Sequence, residues 1–564
     1  MKSDQSSHFR SREWLDTPDL YSWLRRAAFK SQGFDSSVYQ GRPIIGICNS
    51  WSELTHCNSH LRDLATAVKR GVWQSGGFPL EFPVMSLGEY FMRPTTMLYR
   101  NLMSMDVEES IRANPLDGVV LLGGCDKTTP ALLMGAASAN VPAILVTGGP
   151  QLKANWRGEE LGTCTDCRRY QQELRAGRIS EDDWADLQDN IIPGPGHCAV
   201  MGTASTMGAM GEALGIALPG NACIPAADAH RARLAEASGR QIVDLAKQNR
   251  KPSDILTPLA FENAIRTLHA IGGSANGIIH LIAIAGRVGV DLPLRLFDEL
   301  SRNTPVLADV KPSGRFLMED LHNAGGISAL LRELLPLLHQ DAITVTGRSL
   351  GENVSNAKFH NREVIRTLDS PLNDEGGLAV LTGSLAPNGA IIKSSAASQS
   401  LLKHSGRALV FEDHDDLQNR IDHPKLDVYP EDILVLRNSG PIGGPGMPEW
   451  GFLPLPKKLL TGGVRDMVRI SDARMSGSAF GTVVVHVAPE AAIGGPLGAV
   501  RTGDVIELDV SARRLDLKVD GREIDRRLSE RPAFVQSTTR GYAWLFNRHV
   551  TQADEGCDFD FLSS

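Results

Sequence analysis

Three cysteines in this chain share one kind of setting. Cys125 lies in Gly123-Gly124-Cys125-Asp126-Lys127-Thr128-Thr129-Pro130, Cys57 in Thr55-His56-Cys57-Asn58, and Cys198 in Pro193-Gly194-Pro195-Gly196-His197-Cys198. Each follows an apolar run or a Gly-rich loop and precedes a stretch with helical character. Loops at one edge of a parallel sheet can converge, and three thiolates can hold an iron–sulfur cluster with one iron position left without a cysteine. An open iron is a Lewis acid that binds a hydroxyl and helps it leave as water. The same context is also met by three unrelated buried cysteines. Cys164-Thr165-Asp166-Cys167 has the spacing of a redox pair or half a zinc site. It lacks a strand-to-helix setting, and no second pair follows, so a structural role is expected.

Hard ligands accompany the soft ones. Glu89, Asp126 and Glu449 each sit in a Gly- or Pro-rich turn, and carboxylates suit magnesium; taken singly and without a metal, each reads as a salt bridge or a cap. Lys127 cannot ligate as an ammonium. Desolvated beside a cation its pKa would fall, and the free amine could take up CO2 to become an anionic carbamate. The last candidate stretch is Ser471-Asp472-Ala473-Arg474-Met475-Ser476-Gly477-Ser478-Ala479-Phe480-Gly481-Thr482. A Gly-rich turn full of hydroxyls binds anions through its N–H groups. A serine there serves as a base only if its alkoxide is stabilised; otherwise the turn is a hydroxyl-rich hairpin.

These residues need elements to hold them. Asp117–Leu122 reads as a buried strand, and 131–137 as a helix with Pro130 in its first turn. Arg42–Cys48, Phe78–Ser86 and Val141–Thr147 read as further strands, with Leu61, Leu64, Val68 and Val72 marking one helix face. That alternation predicts an α/β fold: a parallel sheet flanked by helices, with ligands outside the carboxyl ends of its strands. Residues 151–192 read as a helical insertion or lid. The small-residue stretch from Met201 to Gly211 reads as a closely packed helix. Residues 225–340 read as helices alternating with short strands such as Thr304–Val310. Near Ser370–Gly377 polar turn residues mark a linker. Beyond it, short runs (Leu378–Leu381, Ala408–Phe411, Ile433–Leu436, Val483–Val487, Val505–Val510, Leu515–Val519) predict a β-barrel-like domain. The expected division is an N-terminal α/β domain over residues 1–375 and a C-terminal β-rich domain over 376–564.

With 564 residues the chain exceeds a single core. A net charge of -8 gives no basic footprint for nucleic acid or an anionic membrane. Met1-Lys2-Ser3-Asp4-Gln5 lacks the apolar core of a signal peptide, and no apolar run is long enough to span a bilayer. Residues 1–30 read as a partly helical arm. The eight cysteines are not expected to form structural disulfides, since the expected setting is cytoplasmic.

Taken together, the motifs resemble the family that contains dihydroxy-acid dehydratase, 6-phosphogluconate dehydratase and the sugar-acid dehydratases. The matching segments are Gly123–Pro130, Gly196-His197-Cys198 with Met201–Met207, Gly443–Met447 and Ser471–Gly477. The resemblance implies a two-domain subunit in a homodimer or homotetramer, with an iron–sulfur cluster on Cys57, Cys125 and Cys198. It also implies magnesium on Glu89, Asp126, carbamylated Lys127 and Glu449, and Ser476 as the base with Ser478 close by. Met92–Thr95 and Cys164–Arg169 look more like the sugar-acid branch, near L-arabinonate dehydratase, which implies a 2Fe-2S cluster; a 4Fe-4S cluster uses the same three ligands. The implied substrate is a small-molecule 2,3-dihydroxy carboxylate, an aldonate, dehydrated to a 2-keto-3-deoxy acid. A branched-chain dihydroxy acid is the alternative substrate, and a non-catalytic iron–sulfur sensor the alternative class.

Overall fold

A computed structural model describes residues 9–536 and 538–563. The start of the expected N-terminal arm and the signal-peptide reading of Met1–Gln5 fall outside them. Four parallel strands form the first sheet: β1 (Ile44–Asn49), β2 (Phe78–Pro83), β3 (Gly118–Gly123) and β4 (Ala143–Thr147), in the order β2-β1-β3-β4. Every residue of β1, β3 and β4 is buried, which is why these strands are continuous apolar runs and not alternating ones. Helices Leu61–Gln74, Met97–Arg112 and Thr128–Ala139 make the crossovers. The first of these lies against helix Ala229–Gln248 along a tight seam: a Cβ on Gly71 would overlap the Glu236 carbonyl oxygen, and one on Gly239 that of Val68.

Two expectations need correction. The insertion begins with a hairpin, β5 (Ala154–Trp156) and β6 (Glu159–Leu161), before helices Thr163–Arg175 and Glu181–Asn190. Arg157 and Gly158 both have positive φ, the geometry of a two-residue hairpin turn. Between 225 and 340 the alternating strands are absent among the described residues. The apolar run at 304–310 makes only isolated bridges, with its N–H groups bonded to loops and a helix end, as in Val306 to the Asn373 carbonyl (2.9 Å) and Leu307 to that of Ala270 (2.8 Å). Its apolar residues are core filling, not sheet.

The second sheet has eight strands: β7 (Ala379–Leu381), β8 (Gly389–Ile392), β9 (Lys403–Phe411), β10 (Ile433–Leu436), β11 (Arg469–Ser471), β12 (Val483–Ala488), β13 (Val505–Asp509) and β14 (Arg514–Leu517). Their order is β14-β13-β9-β10-β11-β12-β8-β7, with β9 to β12 parallel. The main chain of Thr382 bonds to Arg513 and Leu515, both at 3.0 Å, so the two ends meet and the sheet is a nearly closed barrel. The loop carrying Glu449 follows β10 and the turn carrying Ser476 follows β11. In both sheets, then, the candidate residues lie past the carboxyl ends of parallel strands.

Candidate active site

Cys57 sits on a short turn after β1, and Asn58 beside it is tied down by side-chain bonds to the Ser50 carbonyl (3.2 Å) and the Ser86 hydroxyl (3.0 Å). Cys125 follows β3. The loop of Cys198 is stitched to the end of β4: His197 N–H donates to the Gly149 carbonyl (3.1 Å) and Gln151 N–H to that of His197 (2.8 Å). Four thiols, not three, converge here. Cys57 is hydrogen-bonded to Cys125, and Cys198 Sγ lies 3.0 Å from Cys164 Sγ. The Tyr90 hydroxyl touches Cys164 at 3.1 Å and Cys198 at 3.7 Å. The contact between them raises the Cys198 thiol far above its ordinary range, burial adding to it. The same contact lowers Cys164 to about 6, with Arg168 assisting against burial.

Lys127 is fully buried among carboxylates. Its Nζ lies 2.9 Å from Glu89, 3.3 Å from Glu449 and 3.7 Å from Asp126. Glu89 also accepts from Thr96, Asp126 from the Ala204 N–H at the start of helix Thr203–Ala213 (3.1 Å), and Glu449 from Arg474 (3.1 Å). Burial pushes Asp126 up to about 7, with Glu89 and Glu449 adding to it against Lys127. Burial would also raise Glu449, but Lys127, Arg474 and Arg168 hold it down at about 2. For Lys127 the expected fall is reversed with protein groups alone. Burial and Arg474 favour the free amine, yet Glu89, Glu449 and Asp126 outweigh them and keep an ammonium.

The serine turn is gripped from several sides. Ser476 Oγ is 2.9 Å from Ser478 Oγ, and both residues are buried. Asn276 donates to the Met475 carbonyl (3.0 Å), Thr165 to that of Ser478 (2.7 Å) and the buried Lys393 to that of Gly477 (3.4 Å). At Gly477 a Cβ would stand 2.6 Å from Ser274 Cβ and 2.7 Å from Thr203 N, so only glycine fits.

One cavity of about 190 Å³ is lined by Cys57, Cys125, Cys198, Glu89, Asp126 and Glu449, together with Ser476 and Ser478. Lys127 stands behind the carboxylates. Three further lining residues were given no place at the site by the sequence: Cys164, Arg168 and Tyr90. The helix Thr163–Arg175 turns Cys164 into the cavity and leaves Cys167 exposed. The i, i+4 spacing of Cys164 and Arg168 was the available signal for the latter. Among the described residues no three His, Cys, Asp or Glu side chains are yet drawn into a metal-ligating group. The donor chemistry nevertheless suits both groups. Paired thiols suit iron, and three carboxylate oxygens around one buried cation suit a hard dication.

The chain matches the family models for the dihydroxy-acid/6-phosphogluconate dehydratase N-terminal and C-terminal regions, over residues 42–353 and 363–557. It is 54% identical to L-arabonate dehydratase of Azospirillum brasilense, over 98% of this chain and 96% of that protein. It is 48% identical to 6-deoxy-6-sulfo-D-gluconate dehydratase of Pseudomonas putida, over 100% and 98%. Identity to dihydroxy-acid dehydratase of Caldicellulosiruptor bescii is 40%, over 94% and 97%.

Proposed function

Because the chain belongs to the dihydroxy-acid/6-phosphogluconate dehydratase family, we propose that it is a hydro-lyase that converts a sugar acid, an aldonate such as L-arabinonate, to its 2-keto-3-deoxy acid. The observation that carries this reading is the opening of Ser476 into one cavity with the carboxylates before Lys127 and the cysteines. Two relatives named for sugar acids share about half of all positions, more than the dihydroxy-acid dehydratase does. The cavity agrees: Val200 is the one branched aliphatic side chain that lines it, too little to recognise an alkyl substrate.

In this reading Cys57, Cys125 and Cys198 hold a 2Fe-2S cluster, with 4Fe-4S as the alternative, and Glu89, Asp126, Glu449 and a carbamylated Lys127 hold magnesium. Bound there, the cluster supplies a Lewis acid for the leaving hydroxyl, and magnesium a counter-charge for the substrate carboxylate. Ser476 takes the proton from C2, and Ser478 bonds to the oxygen that receives it. The C3–O bond breaks, its oxygen leaves as water, and the enol tautomerises to the ketone. A dication among the carboxylates would take over the counter-charge that the ammonium now provides, which favours the free amine that CO2 requires. The proposal extends to a cytoplasmic homodimer or homotetramer; the eight cysteines, all free, suit a reducing compartment.

The test is an anaerobic screen of iron-, sulfide- and magnesium-reconstituted protein against C4 to C6 aldonates and 2,3-dihydroxyisovalerate, detecting 2-keto acid. A sugar acid is expected to be preferred. Ser476→Ala is expected to lose roughly 10²–10⁴-fold in kcat, the worth of a general base, with metal content unchanged. Preference for dihydroxyisovalerate would install the branched-chain reading, and no turnover of any acid would remove the hydro-lyase.

A further inference from the structure

We infer that Arg168 is a positioning residue that fixes the direction of the hydrogen bond between the two serines, so that Ser478 donates to Ser476. The inference rests on the reading of Ser476 as base. Arg168 projects from helix Thr163–Arg175 into the cavity, where its charge helps hold Glu449 down but makes no ion pair with a carboxylate among the described residues. Its Nη1 reaches Ser478 Oγ at 2.9 Å and the Cys164 carbonyl at 3.0 Å, and its guanidinium lies 5.7 Å from the Phe452 ring centre. Thr165, one turn earlier on the same helix, holds the Ser478 carbonyl at 2.7 Å. The helix therefore grips Ser478 by both its main chain and its side chain.

The chemistry follows from what each group can do. A guanidinium only donates, so Ser478 Oγ must accept from it. Ser478 keeps one proton of its own, and Ser476 Oγ lies 2.9 Å away to receive it. When Ser476 gives up its proton, its alkoxide can only accept. The relay Arg168 to Ser478 to Ser476 then points entirely the right way, with a positive charge two bonds behind the base. Across the cavity stand Glu89, Asp126 and Glu449, whose charge the Lys127 ammonium behind them offsets. Arg474, on the serine turn itself, is engaged with Glu449 at 3.1 Å. Lys393, from the strand side, reaches only the Gly477 carbonyl at 3.4 Å. Arg168 is the cation whose hydrogen bond leads to the serine hydroxyls.

Two measurements decide it. The first is the pH dependence of kcat in the reconstituted enzyme. A unit charge this close to an ionising group shifts it by about one to two pH units. Arg168→Gln is therefore expected to move the acid limb up by that much, with KM changed less than about twofold; Arg168→Lys should recover part of the shift. Because the hydrogen-bonded part of the effect runs through Ser478, adding Arg168→Gln to Ser478→Ala should cost less than the two separate losses combined. A superimposable acid limb, a change confined to KM, or fully additive losses would overturn the relay. The second is neutron diffraction from deuterium-exchanged crystals of the unaltered protein. A deuteron on Ser478 Oγ directed at Ser476 Oγ is expected; one directed from Ser476 to Ser478 overturns the inference. This arm needs no turnover. Failure of the parent protein to dehydrate any sugar acid would count against the dehydratase reading alone, with the relay still decided by the deuteron.

Discussion

At the scale of single residues, the site is an arrangement of charges that water would otherwise have kept apart. Lys127 and Arg474 are fully buried, and each is affordable only because a carboxylate stands within 3.3 Å. Glu490 shows the same physics one layer out. It is fully buried and accepts from the N–H groups of Ile442 (2.9 Å) and Gly443 (2.8 Å), and from Gln552 at 2.9 Å. It thereby holds the Gly-rich loop that leads to Glu449. Among the described residues no cation pairs with it, so burial, with Asp472 adding, pushes it up to about 7 from an ordinary 4.5. The sign follows by linkage. Between those two values the native state keeps a proton that the unfolded chain has released, so stability falls as pH rises through that window and levels off above it. Below about 4.5 both states are protonated and nothing is lost. Relative to Glu490→Gln, the parent should lose up to about 3 kcal/mol between pH 4.5 and 7. Urea-denaturation midpoints for both proteins at pH 5, 6, 7 and 8 check this; a constant difference across the series would show that the carboxyl titrates normally.

At the scale of elements, what the chain displays locally and what it conceals separate cleanly. β1, β3 and β4 could be read from apolar runs because burial on both faces leaves no room for polar residues. β11 could not: three residues carry no period, and its existence depends on β10 and β12 lying on either side. The cysteines after β1 and β3 were legible because a strand end announces them. Cys164 was not, since the Cys-x-x-Cys spacing suggests a pair, whereas the helix sends Cys164 to the cavity and Cys167 to solvent. The helix over 203–213 reads, from its small residues, as closely packed, and it is: every residue is buried, and a Cβ on Gly211 would stand 2.7 Å from the Leu145 side chain. A closer seam still is Gly71 against Gly239, where an added Cβ would meet backbone carbonyl oxygens. Nothing local marks that seam, because it joins segments far apart in the chain. It makes a prediction of its own. Gly239→Ala must push two helices apart through backbone atoms that cannot rotate away, so it should cost about 1–3 kcal/mol or more, the usual range for overpacking. The seam lies behind the sheet and away from the cavity, so the kcat of the folded fraction should be unchanged. Thermal unfolding and active-site-normalised turnover test it together, and an unaltered Tm would mean that the helices slide freely.

At the scale of the whole molecule, the end of the chain returns to brace the helices beneath the site. Tyr542 donates to the Leu98 carbonyl (2.8 Å) and Arg100 donates to those of Gly556 (2.9 Å) and Cys557 (2.8 Å). Asp558 meets Arg287 through two bonds of 2.6 and 2.9 Å, with the Arg287 side chain fully buried. Around them Met97, Leu98, Ile279, Phe546 and Phe559 form a separate apolar cluster that includes Met447, two residues from Glu449. The tail thus packs on the loop that carries a candidate magnesium ligand. Desolvating an ion pair can cost as much as its attraction returns, so the pair specifies where the tail docks more than it adds net stability. Breaking it is another matter, because Glu108, at 3.6 Å, is then the nearest acid left to Arg287. Asp558→Ala should therefore cost about 3–5 kcal/mol, whereas Glu530→Ala, which removes an exposed pair with Arg526, should cost less than about 1 kcal/mol. Replacing both partners, Arg287→Met with Asp558→Leu, should recover much of the loss, since no charge is then stranded. Guanidinium denaturation of the three variants measures all of this. Equal losses for Asp558→Ala and the double variant would mean that the cost lies in displaced packing and not in an orphaned guanidinium.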